Sequence, residues 1–470
     1  MSHNNTLRKN AIGLKENMFQ GVAGAAPAGA AVATLTGVAL FAQGALPLTA
    51  IIAFLIVFLN AYIVSRISLK VSGAGGYYEY VKRGHGPSVA LFTGFFYLFY
   101  QVMALSFISL SIAVFVPAIL SSVFGINVPF VYTIPLIGAS LLYGFFISYR
   151  GIKISTVYTM IMAIIEILTI VAMGAFILLS HPSINNPSVF TLKYSSGGIT
   201  GVVIGVLFMY TAFAGFGAST PLGEESTNPK KTISKSILFS VVVLGLFFVY
   251  ASYVFTVAWG PAKMTGYASA LVPGITIFSS YIGIGAAIFI TVLFINSLLT
   301  GIVVVTNATS RVLMSLGRDN LAPSFLASSH KKYSTPYVSA GVIAVSAFII
   351  SSVSTLMLGG FTAFVMVAIG ATLGVLFVHI IINSSYPRIN KRFDGRYGPI
   401  SILLSTVSIV IFGFILYSTF LSINSSVIIG TLSFVAWSVI TVIYTFLKRK
   451  GVRDLRISLE SEVTPAYDDE

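Results

Sequence analysis

The sequence predicts an all-α integral membrane protein of about twelve transmembrane helices. Three observations predict it: an apolar composition, a succession of uncharged stretches long enough to cross a bilayer, and basic residues gathered on one side of them. Of 470 residues, 56% are hydrophobic and 9% charged, whereas soluble domains are roughly 45–50% apolar. Uncharged stretches cover 17–65, 84–149, 194–223, 236–262, 264–310, 333–387 and 397–447, and 154–192 is broken only by Glu166. At about 20 residues per membrane helix, with polar or Gly/Pro turns dividing the longer stretches, these hold twelve spans. They run over 18–42, 46–68, 87–120, 130–148, 154–180, 199–222, 234–259, 283–315, 337–357, 360–383, 399–421 and 426–446.

Alternate connections then fall on opposite faces, and of 27 Lys and Arg only Lys193 and Lys263 lie away from the rest. A miscount of one helix would mix the two sets, so the segregation checks the number twelve. By the positive-inside rule both termini are cytoplasmic and the chain is a multi-pass protein of the cell membrane. Topology therefore accounts for the net charge of +14, and a nucleic-acid partner is not called for. The absence of cysteine excludes disulfides, thiolate metal sites and a Cys nucleophile. No HExxH, GK[ST] phosphate loop, GxSxG or acid cluster in the spans marks an enzyme, a metal site, a cofactor or an ATP-driven pump. The first apolar segment lacks a convincing cleavage site and runs straight into a second span, so it reads as retained.

Residues 18–37, MFQGVAGAAPAGAAVATLTG, place Gly21, Gly24, Pro27 and Gly29 inside the first span, where they weaken or break a helix. The sixth span, GVVIGVLFMYTAFAGFGASTPLGEE, has a similar weak point at Gly215 and Gly217. The separation is about 190 residues, and the third and eighth spans lie about 195 apart, which suggests two copies of a five-helix unit. Five is odd, so the second copy is inverted. The organisation is then an N-terminal tail 1–16, a first repeat 17–182, a second repeat 183–384, two extra helices at 385–447, and a short polar C-terminal tail 448–470.

FAGFGASTPLGEESTNPKKTI at 213–233 resembles the sixth-helix signature of the amino acid, polyamine and organocation (APC) transporter superfamily. SRVLMSLGRDNLAPSFLASSHKKYSTP at 310–336 is similar to its eighth-helix ending, and SGAGGYYEYVKRGHGP at 72–87 to the loop after its second helix. The resemblance covers nearly the whole chain. It implies the LeuT-type inverted-repeat fold with broken helices 1 and 6, and secondary active transport by alternating access with substrate held midway across the membrane. Two departures stand out: the family's Gly-Ser/Thr-Gly in the first helix reads AAPAG at 25–29, and the acid that often follows GF in the sixth is Gly217.

At such breaks unpaired backbone groups cost several kcal/mol each unless a partner meets them. The amides of Ala28, Gly29 and Ala30 would open a half-helix suited to a carboxylate, with Pro27 at its first position and Ala25 and Ala26 before it. The carbonyls of Thr211, Ala212 and Phe213, with Ala214 and Gly215 beyond, suit an ammonium, and Phe213 and Phe216 either cover a side chain as an aromatic lid or pack in the core or against lipid. A neutral amino acid meets both ends. Glu166, the one carboxylate well inside a span, occupies the place where several proton-coupled relatives carry a lysine. It reads either as a proton carrier or as a permanently protonated group bonded to the first helix. Ser297 and Thr300 could face Glu166 or a cation, or bond to their own backbone, and Asn296 and Asn307 are open to the same choice. His379 is expected near the end of the tenth span as a structural residue, and Glu224, Glu225, Lys230 and Lys231 either at a solvated helix end or in a salt-bridge or gating role. The expected partners are an amino acid substrate, the lipid bilayer, and a proton or sodium as coupling ion. Exchange and a channel are the alternatives.

Overall fold

In the computed structural model, residues 6–270, 272–421 and 425–461 are described. Eleven helical segments among them are long and apolar enough to cross a membrane. The first, Leu14–Ser68, has 55 residues, about twice a bilayer's need, and it turns back at Gln43, whose φ is 50°. Val38, Ala42 and Thr49, from either side of that turn, all pack around Gly205. The segment is therefore two antiparallel spans, and the total is the expected twelve.

In chain order the elements are α1 (Leu14–Gly24), α2 (Pro27–Gly29), a π-helical turn Ala30–Thr34, α3 (Leu35–Ala42), α4 (Leu46–Ser68), α5 (Tyr77–His85), α6 (Pro87–Phe124), α7 (Thr133–Tyr149) and α8 (Ile152–Ser180). After them come α9 (Gly198–Ala212), a 3₁₀ stretch Ala214–Glu225, α10 (Pro229–Trp259), α11 (Met264–Ser269), α12 (Pro273–Tyr281) and α13 (Ile284–Arg318). The chain closes with α14 (Tyr337–Leu358), α15 (Gly360–Asp394), α16 (Pro399–Leu421), α17 (Ser425–Leu447) and α18 (Arg449–Ser461). Among the described residues no strand forms, and the one bridge joins Ile12 to Ser226.

Without a hydrophobic force between helices in lipid, small residues set how closely backbones approach. A Cβ added to Gly144 would lie 2.2 Å from the Ile302 side chain, and one on Gly245 2.1 Å from the Phe54 ring. Large apolar side chains such as Leu168, Leu246, Val410 and Leu447 point outward, as a lipid-facing surface requires. The long helices α6, α13 and α15 are the most buried spans, and α13, with α8 and α10, packs directly against the broken ones.

The face that carries the N-terminal segment is tied together by charge. Glu225 is 1% exposed and forms a two-pronged pair with Arg311, also 1% exposed, whose second prong measures 3.0 Å. Of the readings open for Glu225, a solvated helix end and a salt bridge, the structure has the salt bridge, because the 3₁₀ stretch carries it under the end of α13. Its carbonyl also accepts from the amides of Ala11 and Ile12, at 2.8 and 3.1 Å, so the N-terminal tail is docked. Glu224 meets Arg318 at 2.8 Å in the open. On α5, Lys82 reaches Glu79 at 2.7 Å and Asp319 at 2.8 Å. Burial works to lower the Lys82 pKa, and the two carboxylates outweigh it and raise it.

Removing one partner of a buried pair leaves an uncompensated charge and costs about 3–5 kcal/mol, whereas exposed pairs are worth about 0–1 kcal/mol. Glu225→Ala is therefore expected to lower the thermal midpoint of the detergent-solubilised protein strongly, with Glu224→Ala close to wild type. Equal shifts for the two would contradict the burial argument.

Candidate functional site

The first break is built within five residues. The amides of Ala25 and Ala26 close tight turns onto Val22 and Ala23, at 3.1 and 3.0 Å. Ala26 then adopts φ 46°, ψ 70°, a left-handed conformation that costs a residue with a Cβ roughly 1–2 kcal/mol. Pro27 restarts the helix at its first position, where a missing N–H is no loss. The Ala30 amide donates to the Ala26 carbonyl at 2.7 Å.

The amides of Ala28 and Gly29 go elsewhere. Ala28 donates to Glu166 Oε2 at 3.4 Å and Gly29 to Ser297 Oγ at 3.1 Å. Ser297 donates in turn to Glu166 Oε2 at 2.6 Å, and Asn296 Nδ2 donates to Oε1 at 3.2 Å. Tyr158 steadies Asn296 at 2.8 Å. Glu166 is fully buried, and among the described residues no cation pairs with it. The amides of Ala28, Gly29 and Ala30, expected to await a ligand, thus all have protein partners here. The reason is tertiary: α8 and α13 bring Glu166 and Ser297 to the start of α2.

Thr300 bonds back to the Ser297 carbonyl at 2.8 Å and does not face Glu166. Asn307 donates to Ser155 Oγ at 3.0 Å and lends its carbonyl to Arg311 at 2.7 Å. His379 lies beside the second break, within α15, which continues to Asp394. Its Nδ1 meets the Tyr210 hydroxyl at 2.6 Å, while the rings of Tyr77, Phe216 and Phe412 surround it.

The second break follows α9. Phe213 donates to the Tyr210 carbonyl at 3.1 Å and accepts from Phe216 at 3.0 Å, and the chain continues as twelve residues of 3₁₀ helix with Pro221 inside. Runs longer than three or four such residues are uncommon. The two breaks touch: a Cβ added to Gly215 would fall 2.1 Å from the Gly24 carbonyl carbon and 2.3 Å from the Ala25 nitrogen.

Beside this contact lies a cavity of about 70 Å³ lined by Ala25, Ala26, Gly29, Ala30, Thr211, Ala212, Ala214 and Gly215 from the breaks, with Gln101, Phe107, Ile108 and Ser111 of α6 and Leu298 of α13 among the rest. Pro27, Ala28, Phe213 and Phe216 do not line it. Of the readings open for Phe213 and Phe216, a lid over the substrate and core packing, the structure has core packing: both rings are fully buried, Phe213 packs edge-on to Phe248 and Phe216 against His379. Phe107 is the aromatic residue at the cavity. A larger space of about 260 Å³, sharing Ala33, Thr34, Phe107 and Thr211, continues toward the face away from the N-terminus. On the N-terminal side the way is filled, with the Tyr77 hydroxyl where a Gly217 side chain would stand, 2.0 Å from an added Cβ.

Among the described residues no ionisable side chain lines the smaller cavity. Gln101 escaped the sequence reading, although it is the one carboxamide in the 38 residues of α6 and that isolation was a usable signal. It donates to Tyr97 at 2.8 Å.

Two interrupted helices meeting at a small buried cavity in a twelve-span protein define a membrane transporter. The amino acid permease family model matches residues 17–449, and the chain belongs to that family. It is 24% identical over 448 residues to a branched-chain amino acid permease of Bacillus subtilis, covering 89% of each chain. It is likewise 24% identical over 443 residues to a methylthioribose transporter of the same organism, again over 89% of both. An uncharacterized transporter of Rhizobium meliloti is 24% identical over 284 residues, 59% of this chain and 58% of its own.

Inserting even a methyl between packed backbones forces shifts costing about 1–3 kcal/mol. Gly215→Ala is expected to part the two breaks, lowering the thermal midpoint and abolishing substrate-induced stabilisation. Gly413→Ala, whose Cβ would meet nothing within 4 Å, is the control and stays near wild type. An active, fully stable Gly215→Ala protein would contradict the backbone contact.

Proposed function

We propose that the chain is a secondary active transporter of neutral amino acids, working by alternating access between two inverted five-helix repeats and coupled to protons through Glu166. The carrying observation is that the Ala28 amide, at the start of α2 beside the cavity, is already held by the Glu166 carboxylate. A substrate carboxylate arriving at that half-helix end would compete for the same positive partial charge. Two carboxylates cannot share it while both are ionised, and protonation of Glu166 removes the conflict. Substrate and proton would therefore load together, and Ser297, which bonds both Glu166 and Gly29, would pass the change from one to the other. The uncharged lining supports a neutral side chain, and the branched-chain amino acid permease among the relatives agrees with an apolar one.

The segregation of basic residues supports a cytoplasmic N-terminal face, the closed one here. The vestibule of Ala33 and Phe107 would then open outward, while Tyr77, His379 and the Arg311–Glu225 pair close the inner side. In this reading the cycle opens the inner side as the outer vestibule collapses. A second reading has an observation in its favour: the amides of α2 are occupied, which suits a substrate without a carboxylate, and one relative is named for methylthioribose. A competition panel separates them, since displacement by neutral amino acids supports the first and displacement by thioether sugars alone supports the second.

In proteoliposomes, saturable counterflow of labelled amino acid is expected, and separately an uphill accumulation driven by an inward proton gradient and indifferent to sodium. Linear, unsaturated flux would point to a channel. Glu166→Gln is expected to keep counterflow and to lose at least tenfold of pH-driven accumulation. Wild-type accumulation by that variant would remove protons from the account, and dependence on sodium would reassign the coupling ion.

A further inference from the structure

Helix α18 lies past the reach of the family model, which ends at residue 449, and nothing in the transport site uses it. Its sequence, RKGVRDLRISLES, sets Arg449, Lys450, Arg453 and Arg456 against Asp454 and Glu460. At about 100° per residue, Val452, Leu455 and Leu459 share one side, and that side is buried or packed on the body of the protein. The four basic residues share an exposed arc beside it, Ile457, 56% exposed, lies within that arc, and by register Glu460 falls among them, leaving four cations to one acid.

The level of this arc is set by α17. That helix turns Val439, Val442, Ile443, Phe446 and Leu447 outward up to its last residue, so the hydrocarbon boundary falls where α17 ends. Charge begins at once. The Arg449 guanidinium lies over the Phe446 ring at 5.1 Å and Lys448 Nζ over the Tyr444 ring at 5.9 Å, which holds both cations against the edge of the apolar belt. The Tyr444 hydroxyl donates to the Leu321 carbonyl at 2.8 Å, fastening this corner to the end of α13.

We propose that α18 is an interfacial helix whose basic arc binds the head groups of anionic phospholipids, with Ile457 inserted among them. A net basic stripe, four Arg and Lys to one Glu with one apolar residue in it, at the level of the head groups, has the chemistry that an anionic bilayer surface recognises. The rival occupant is the chain's own segment after Ser461, which carries Glu462, Asp468, Asp469 and Glu470.

Because the chain has no cysteine, Ile457→Cys can carry a single environment-sensitive fluorophore in the otherwise intact protein. In vesicles of phosphatidylcholine containing phosphatidylglycerol its emission is expected to shift to the blue relative to pure phosphatidylcholine. High salt should reverse that shift, and Arg449→Gln, Lys450→Gln, Arg453→Gln and Arg456→Gln combined should abolish it. These side chains are exposed, so the combined variant is expected to melt as the parent does. The salt arm tests the proposal on the parent even if the variant fails to fold. Equal emission in both vesicle types, or a blue shift insensitive to salt, overturns the proposal. A change produced by truncation after Ser461 that is the same in both lipids also overturns it, in favour of the tail.

Discussion

Backbone polar groups cannot be left unpaired in the middle of a membrane, and this chain interrupts two of its helices there. Everything around α2 and the 3₁₀ stretch can be understood as the response. Ala26 accepts a left-handed conformation, Pro27 removes one donor from the problem, and the remaining two amides draw in Glu166 and Ser297 from α8 and α13. Those partners pin the broken first helix to two unbroken ones. The cavity exists because the two breaks are held against each other at Gly24 and Gly215 with no side chain between them.

The same arrangement joins structure to chemistry. A carboxylate that caps a helix start is a reasonable structural solution, and in a permease it is also a competitor for any ligand that wants that start. In the proposed cycle one group would serve the fold in one protonation state and yield in the other. The N-terminal face shows a comparable economy. A buried ion pair contributes little net stability against an apolar replacement, but its two ends tolerate no mismatch. Arg311 and Glu225 join the end of the 3₁₀ stretch to α13, and Lys82 joins α5 to Asp319 just past the end of α13.

Much of the fold was legible because a bilayer restricts the options. Long uncharged runs become helices, one-sided basic residues orient them, and Gly or Pro in mid-span stands out against that background. Glu166 was legible for a related reason, as the lone acid in an apolar span. Gln101 carried a weaker form of the same signal on α6. The Tyr77–Gly217 contact, the burial of Phe213 and Phe216, and the turning of Thr300 onto its own helix carried no such signal, since each depends on which way a helix is rotated about its axis. A nearly uniform apolar surface, with polar residues on few turns, says little about rotation.

The amino acid sequence determined the twelve spans, the sites of both breaks and the presence of one acid well inside a span, because these follow from local composition and the thickness of a membrane. Tertiary structure decided who satisfies the broken backbone. Glu166 lies 138 residues from Ala28, Ser297 lies 268 from Gly29, and Glu225 lies 86 from Arg311. Pairings at such separations are fixed by how helices stack, and only the packed bundle shows that the amides expected to wait for a substrate are already in the protein's own hands.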